Sequence, residues 1–266
     1  MSPSWNPIPT YLFNPSTSMI IRAIKTELVG VSQFSLETFL DANLPECKED
    51  SILAITSKII SLCEGSVAPL SENKELLLQR YSDYYLPQKF RQHNSCTITH
   101  HAFIGSAGID ESNADGHYVF LPQDALASAR LIQNYLVKRF GLKRVGVIIT
   151  DSHSTPMRRG ASGIAIAYAG FHGLKDYRGT PDLFGRNLQM EQANVTDALA
   201  SAAVLVMGEG SEQTPLAIIT DLPDVTFASE APDKLEIDEF FVPLSDDVFL
   251  PIFDMNKLTP GGTLDK

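Results

Sequence analysis

Asp151 is the first residue whose type and position could support metal and phosphate chemistry. It comes directly after VGVIIT, Val145–Thr150, a largely β-branched run typical of a strand buried on both faces of a sheet. Open α/β sheets place ligands at the carboxyl ends of such strands. Arg158 and Arg159 follow a few residues later, and a hard cation together with arginines suits phosphate oxygens. The plainer alternative is that Asp151 only begins a turn.

Two further acidic residues lie in glycine-containing loops. Asp110 and Asn113 offer oxygen ligands within one short segment, AGIDESN, and Gly108 permits close backbone approach there. Glu209 stands between two glycines directly after a predicted helix, in a loop whose amides could approach a ligand. Each site has an ordinary alternative. The first is also typical of an Asx-rich turn, and the second of a glycine C-cap followed by a solvated turn.

The familiar nucleotide and hydrolase motifs are missing from the sequence. It contains no G-x-x-x-x-G-K-[ST], no G-x-G-x-x-G after a strand, no H-E-x-x-H and no G-x-S-x-G. If the protein binds a nucleotide, its phosphates must therefore be bound by a different kind of loop.

Apolar runs predict the strands that would position these residues. Beside VGVIIT, the runs Ile52–Thr56, Gly163–Gly170 and Pro215–Thr220 have the length and composition of buried strands. Ser57 and Lys58 follow the first of these runs. The mixture of strands and helices predicts a mixed α/β (α+β) fold in which sheets and helices form layers.

Helical spacing predicts the remaining elements. One helix is expected to have Pro122 as its first residue and to stop at Gly141. A second is expected to run to Met207, to end at Gly208, and to place on one face Val195, Leu199, Ala202 and Val206. A third, of uncertain extent, is expected within residues 72–92.

Composition restricts the classes of partner and compartment. The chain of 266 residues carries a formal net charge of −11, which argues against nucleic-acid and anionic-membrane binding, because both require a basic surface. Three cysteines are too few for a disulfide framework. Residues 1–19, rich in Pro, Ser and Asn, predict an irregular arm without signal-peptide character, followed by one domain over 20–266. No apolar run approaches the ~20 residues that span a bilayer, so a cytoplasmic protein is expected.

Taken in order, several segments resemble the coenzyme F-420-0:γ-glutamyl ligase family. The resemblance covers roughly Ile24 to Thr220 and rests on ILAITSKIISLCEG (Ile52–Gly65), SAGIDESN (Ser106–Asn113), KRVGVIITDSHSTPMRRG (Lys143–Gly160), GIAIAYAG, DYRGTPDLFGRNL (Asp176–Leu188) and DALASAAVLVMGEG (Asp197–Gly210).

The resemblance implies a ligase that uses GTP and manganese or magnesium to join L-glutamate to a small acidic acceptor through an acyl-phosphate. It also implies a γ-glutamyl ligase-like fold, an intertwined homodimer with the active site near the interface, and room for a monovalent cation. The implied metal ligands, of which the two aspartates are also the implied catalytic residues, are Asp110, Asp151, Ser152 and Glu209. The implied nucleotide contacts are Ser57, Lys58, Asn113 and the loop Val206–Gln213, in particular Gly208, Gly210 and Ser211.

The sequence leaves three alternatives open. Relatives of the family add glutamate to folate instead of to coenzyme F-420-0, a deazaflavin. A folate acceptor is therefore the first alternative. Leu62 stands where the family has a further lysine, and Thr26–Val29 replaces a glycine- and proline-containing loop. These differences motivate the second alternative, a nucleotide- or metal-binding module without catalysis, whereas the presence of Asp110, Asp151 and Glu209 argues against it. A hydrolase that uses the same metals is the third, because water can replace the amine.

Overall fold

The computed structural model describes residues 18–87, 95–223, 225–249 and 257–263. The predicted N-terminal arm therefore lies outside the described residues except for its last two positions. The strands in the described residues are β1 Ile20–Ile24, β2 Ser51–Thr56, β3 Val67–Pro69, β4 Tyr84–Tyr85, β5 Cys96–Thr99, β6 Ala102–Gly105, β7 His117–Val119, β8 Val145–Ser154, β9 Ala161–Ala169, β10 Leu174–Asp176, β11 Gln192–Asn194, β12 Leu216–Thr220 and β13 Thr259–Pro260. The helices are α1 Leu36–Asn43, α2 Ser57–Glu64, α3 Lys74–Tyr81, α4 Ala125–Phe140, α5 Val195–Met207 and α6 Lys234–Phe240.

The largest sheet has the strand order β1-β12-β2-β8-β9 and carries helices on both faces. Only β2 and β8 are parallel neighbours within it, and the other pairs are antiparallel. Because side chains alternate along a strand, Leu53 and Ile55 pack in the core that contains α1, α2 and α4, whereas Ile52 and Ala54 pack in the core that contains α5. The predicted mixed, layered α/β architecture is confirmed.

A second sheet has the order β13-β4-β5-β6, and two further pairs of strands are β3-β7 and β10-β11. Its neighbouring core includes Ile109, Tyr118 and Phe120, and the ring of Tyr81 stacks on Phe120 with centroids 4.0 Å apart. The next residue along the chain from Ile109, Asp110, exchanges both backbone hydrogen bonds with Val119, at 3.1 and 2.8 Å. This small core therefore fixes the backbone that carries the Asp110 side chain.

Two helix boundaries differ from the prediction. Pro122 was expected to be the first helical residue, but α4 begins at Ala125, because the Asp124 side chain accepts a hydrogen bond from the Ala127 amide and acts as the N-cap. The stop at Gly141 is confirmed, with φ of 67°. The helix expected within 72–92 covers only α3. It ends before Ser82 because the chain then turns extended into β4, and residues 88–92 lie outside the described part.

Helix α5 ends at Met207 as predicted, and its buried face was predicted in part, since Leu199 is buried and Val195 packs against the core. Val206 was expected to face the core and is 44% exposed. Besides Leu199, the buried side chains of α5 are Thr196, Ala200, Ala203, Val204 and Met207. Small residues determine this rotation, because the α5 backbone approaches β9 so closely that a Cβ on Gly163 would lie 2.6 Å from the Ala200 carbonyl oxygen.

Strand β8 is longer than predicted, and this changes the position of Asp151. Residues Val145–Thr150 are buried as expected, but the strand continues to Ser154 after a register irregularity between Ile149 and Thr150. Asp151 therefore lies within a strand, opposite Ile164, and neither follows the strand nor begins a turn. The extra pairing with β9 is what extends the strand. The other three predicted strands are confirmed as β2, β9 and β12. Among the described helices, none has the length and apolarity needed to cross a membrane.

Candidate active site

The topology of the largest sheet brings the predicted site residues to one edge. Strands β2 and β8 run parallel with Thr56 opposite Thr150, so both reach this edge with their carboxyl ends. Strand β12 runs antiparallel to β2 and begins at the same edge. The start of α2, the Asp151 segment and the loop that precedes β12 therefore meet there, and the Asp110 segment, which pairs with Val119 of β7, also lines the site.

These segments surround a pocket of about 430 Å³. Its lining combines one apolar side, which includes Val29, Ile59 and Leu62, with a strongly acidic side. Most of the residues that the resemblance implies line it: Lys58, Asp110, Asn113, Asp151, Ser152, Gly208, Glu209, Gly210 and Ser211. Ser57 lies just behind the wall, where its hydroxyl donates a hydrogen bond of 3.4 Å to Asp151. Residues predicted from distant parts of the sequence are thus brought together.

The Asp110 carboxylate is held by the ammonium of Lys58 and by hydrogen bonds within its own turn. The Lys58 ammonium lies 2.6 Å from Asp110 Oδ2 and also donates to the Ser112 carbonyl oxygen at 2.8 Å. The Ser112 amide and hydroxyl donate to Asp110 Oδ1 and Oδ2 at 2.8 and 2.9 Å. Burial acts to raise the pKa of Asp110, but the hydrogen bonds from Lys58 and Ser112 and the lysine charge outweigh it, so this pKa lies below its usual value.

The pKa of Asp151 is shifted in the opposite direction to that of Asp110. Burial raises its pKa to about 7, and the nearby charge of Asp110 acts in the same direction. The Ser152 amide, the Lys58 charge and the Ser57 hydroxyl act to lower the pKa, but they do not compensate for the burial. Asp151 is therefore a carboxylate whose charged form lacks a close positive partner.

Glu209 is positioned by a tightly folded glycine loop. Its Oε2 accepts a hydrogen bond of 2.6 Å from the Ser152 hydroxyl. Gly208 has φ of 85°, a backbone conformation that side-chain-bearing residues rarely adopt, so the backbone here favours glycine. The Gly210 amide donates to the Glu212 carboxylate at 2.8 Å. These contacts fix the loop that follows α5.

A direct bond joins this glycine loop to the Asp110 loop. The Asn113 side-chain amide donates to the Gly210 carbonyl oxygen at 3.0 Å. Asn113 has φ of 50°, a left-handed conformation that asparagine tolerates better than most residues. The two loops that carry Asp110 and Glu209 are therefore linked across the pocket.

The chemistry of the donor set fits a hard divalent cation. Carboxylate and hydroxyl oxygens are the ligands that magnesium and manganese prefer, and the raised pKa of Asp151 indicates a charge that a bound cation would compensate. Within the described residues, no three Asp, Glu, His or Cys side chains lie close enough together to form one ready cluster of ligands. Lys58 engages Asp110, and Ser152 engages Glu209. Binding of a cation would therefore require these bonds to rearrange.

Some site residues were missed by the sequence, and some predicted residues lie elsewhere. Ser112 was missed, although the Asp-x-Ser spacing at 110–112 is a recognisable Asx-turn signal. Glu212 was expected only as a member of the loop Val206–Gln213, and nothing in the sequence distinguishes it there. Arg158 and Arg159, the candidate phosphate partners, are exposed at the β8–β9 turn and do not line the pocket. Because β8 extends to Ser154, the turn that contains these arginines begins after the residues that line the pocket.

Comparison with known proteins gives the same family by two routes, a family model and individual relatives. A family model described as F420-0:Gamma-glutamyl ligase matches residues 75–221. A "Coenzyme F420:L-glutamate ligase" of Methanocaldococcus jannaschii is 35% identical to the chain, over 76% of the chain and 90% of the relative. A protein of the same name from Methanopyrus kandleri is 36% identical over 73% of the chain and 84% of the relative.

Proposed function

The chain belongs to the F420-0:gamma-glutamyl ligase family and is an acid–amino-acid ligase, and from this premise we propose that it joins L-glutamate to coenzyme F420-0 or a closely related acidic acceptor. The proposed co-substrate is GTP, and the proposed cofactor is manganese or magnesium. The relatives carry this substrate in their names.

The charge of the pocket is the observation that best supports the need for a divalent cation. Among the described residues that line it, one lysine, Lys58, faces five carboxylates, those of Glu27, Asp110, Asp151, Glu209 and Glu212. A nucleoside triphosphate and an acidic acceptor are both anions. Such ligands cannot enter an acidic pocket favourably unless cations accompany them.

We assign the following roles to the chain's own residues. Asp110, Asp151, Ser152 and Glu209 would hold the cation. When bound, the cation neutralises charge on the phosphates and on the phosphoryl group in transfer. Ser57 orients Asp151 by its hydrogen bond. Lys58, Asn113 and the amides of the loop at Gly208, Gly210 and Ser211 would contact the nucleotide.

The proposed reaction has two steps. The γ-phosphoryl group moves from GTP to the acceptor carboxylate, which gives GDP and an acyl-phosphate. The unprotonated amine of L-glutamate then attacks the carbonyl carbon, the bond from that carbon to the phosphate oxygen breaks, and phosphate leaves. The proton released by the nitrogen passes to solvent. Positioning and charge neutralisation contribute most to this type of catalysis.

We also propose that two copies of the chain form a homodimer. Large apolar side chains are unusually exposed on the turn after β8, the long connection between β10 and β11, and the outer face of α5: Met157, Leu183, Phe184, Met190 and Leu205. Single exposed apolar residues are common, but five side chains that are each at least 83% exposed favour burial against a partner. Sedimentation velocity should give a dimer for the wild type and a monomer for Phe184→Ser with Met190→Ser. A monomeric wild type would contradict the dimer.

An acceptor panel tests the proposed activity. The purified protein is incubated with GTP, Mn²⁺, L-glutamate and one acceptor, either coenzyme F420-0 or a folate, and products are identified by mass. We expect coenzyme F420-0 to gain a glutamyl unit while GDP forms. If a glutamylated product forms only with the folate, folate and not coenzyme F420-0 is the acceptor. Release of phosphate without glutamate, and no amide with any acceptor, would indicate a hydrolase and contradict the ligase.

A further inference from the structure

Both oxygens of Asp110 are already occupied by donors. Oδ1 accepts from the Ser112 amide, while Oδ2 accepts from the Ser112 hydroxyl and from the Lys58 ammonium at 2.6 Å. The Ser112 bonds are local, because donor and acceptor are two residues apart. The lysine comes from the first turn of α2, 52 positions away, on a flexible stem. The Lys58 bond is therefore the one that can be exchanged without dismantling the Asp110 turn.

Lys58 has the charge, the position and the side-chain mobility that are needed to take the place of a metal ion beside Asp110. It is the one cationic residue among the described residues that line the pocket. Its side chain retains 23% exposure and borders open pocket space, into which it can swing. A third bond, to the Ser112 hydroxyl at 3.2 Å, completes its contacts with the loop. Lys58 therefore holds the Asp110 loop with the kind of attraction that a bound cation would provide.

From this geometry we propose that Lys58 is a positioning residue that acts as a resident counter-ion for Asp110 and exchanges with the divalent cation. Without metal, it bridges the Asp110 carboxylate and the Ser112 carbonyl oxygen and so keeps the loop folded. When a cation binds Asp110, the ammonium leaves Oδ2 and turns into the pocket, where it can face an anionic ligand. This inference rests on the proposed metal dependence and adds an internal competitor that limits cation affinity.

The exchange has a measurable consequence. A charge-assisted hydrogen bond that must break before the cation binds lowers the apparent affinity by about tenfold. Lys58→Met removes both the bond and the like charge, so we expect it to bind Mn²⁺ about tenfold more tightly than the wild type, by electron paramagnetic resonance titration of free Mn²⁺. Lys58→Arg, which keeps the charge, should bind Mn²⁺ no more tightly than the wild type. A merely structural lysine would not give tighter binding on its removal.

The outcomes separate this proposal from the proposed function. If the wild type binds Mn²⁺ and Lys58→Met binds it equally or more weakly, the exchange is wrong and the metal-dependent ligase stands. If the wild type does not bind Mn²⁺ at all, with or without GTP, both fall.

A measurement on the wild type keeps the test independent of how the variant folds. Acetylation of Lys58 by acetic anhydride, followed by peptide mass spectrometry, reports whether the amine is held. We expect Mn²⁺ to speed acetylation of Lys58 and to leave the exposed Lys48 unchanged. Unchanged or slower labelling of Lys58 at saturating Mn²⁺ would overturn the exchange.

Discussion

Ser152 and Glu209 lie 57 residues apart in the sequence and are joined by a hydrogen bond of 2.6 Å from the serine hydroxyl to Oε2 of the glutamate. The serine belongs to the extended part of β8, and the glutamate to the loop that follows α5. The extra length of the strand therefore positions a carboxylate of another segment in addition to Asp151.

Removal of this hydroxyl should loosen the glycine loop. We expect Ser152→Ala to lower the free energy of unfolding by about 1 kcal/mol, because a carboxylate loses a donor in an exposed setting, and to weaken Mn²⁺ binding. Urea unfolding and Mn²⁺ titration measure the two effects. Ser154→Ala is the matched control, since it changes an exposed serine of the same strand. Equal effects of the two variants would contradict the positioning role.

The pKa of Asp151 predicts how stability depends on pH in metal-free protein. Folding raises this pKa from 3.8 to about 7, so between these values the folded state holds a proton that the unfolded state has released. The contribution of Asp151 to stability is therefore present at low pH and lost as the pH rises through about 7. In EDTA, Asp151→Asn should be more stable than the wild type at pH ~8, by roughly 1–3 kcal/mol after allowance for solvent screening, and nearly equal at pH ~4.

A control residue distinguishes burial from a general effect of charge removal. The carboxylate of Asp176 is exposed and paired with Arg178, whose hydrogen bonds hold the pKa of Asp176 below its usual value. Asp176→Asn should therefore gain no stability at high pH. If Asp151→Asn behaves like Asp176→Asn in urea unfolding, Asp151 is not an uncompensated carboxylate.

The conformation of Gly208 should make it intolerant of a side chain. Its φ is positive, and the Cβ of an alanine at this position would lie 2.5 Å from the carboxyl carbon of Glu212. Such strain costs on the order of 1–3 kcal/mol. Gly208→Ala should lower the thermal midpoint and weaken Mn²⁺ and GTP binding. Gly210→Ala is the matched control for the thermal midpoint alone, because its backbone does not require glycine and the nearest atom to its Cβ would lie at 3.3 Å. A larger effect at Gly210 would contradict this account of the loop.

Four strands of the main sheet were predictable because burial leaves apolar runs such as ILAIT and VGVIIT, whereas β1, which is partly exposed, was not predicted. The face of α5 was not predictable from spacing. Val195, Leu199, Ala202 and Val206 share a helical period, but the short distance between α5 and β9 selects the alanine-rich face instead. Side-chain size at a contact, which depends on the partner element, decided the rotation.

The candidate site was predictable as a set of residues but not as a set of contacts. Asp110, Asp151 and Glu209 were singled out from separate segments, and the pocket contains all three. The pairing of Lys58 with Asp110 and of Ser152 with Glu209 follows from tertiary positions that no local pattern encodes. The length of β8 was missed for the same reason, since its partner β9 extends it beyond the apolar run.

The most direct test of the central claim is the stoichiometry of the complete reaction in the wild type and in Asp151→Asn. Coenzyme F420-0, GTP, Mn²⁺ and L-glutamate are supplied together, and GDP and glutamylated acceptor are counted by mass spectrometry. We predict one GDP for each new amide in the wild type, and a loss of at least ~100-fold in rate for the folded Asp151→Asn variant, since electrostatic groups of this kind contribute that much to catalysis. GDP formation without amide, or unchanged amide formation by Asp151→Asn, would contradict a ligase centred on this pocket.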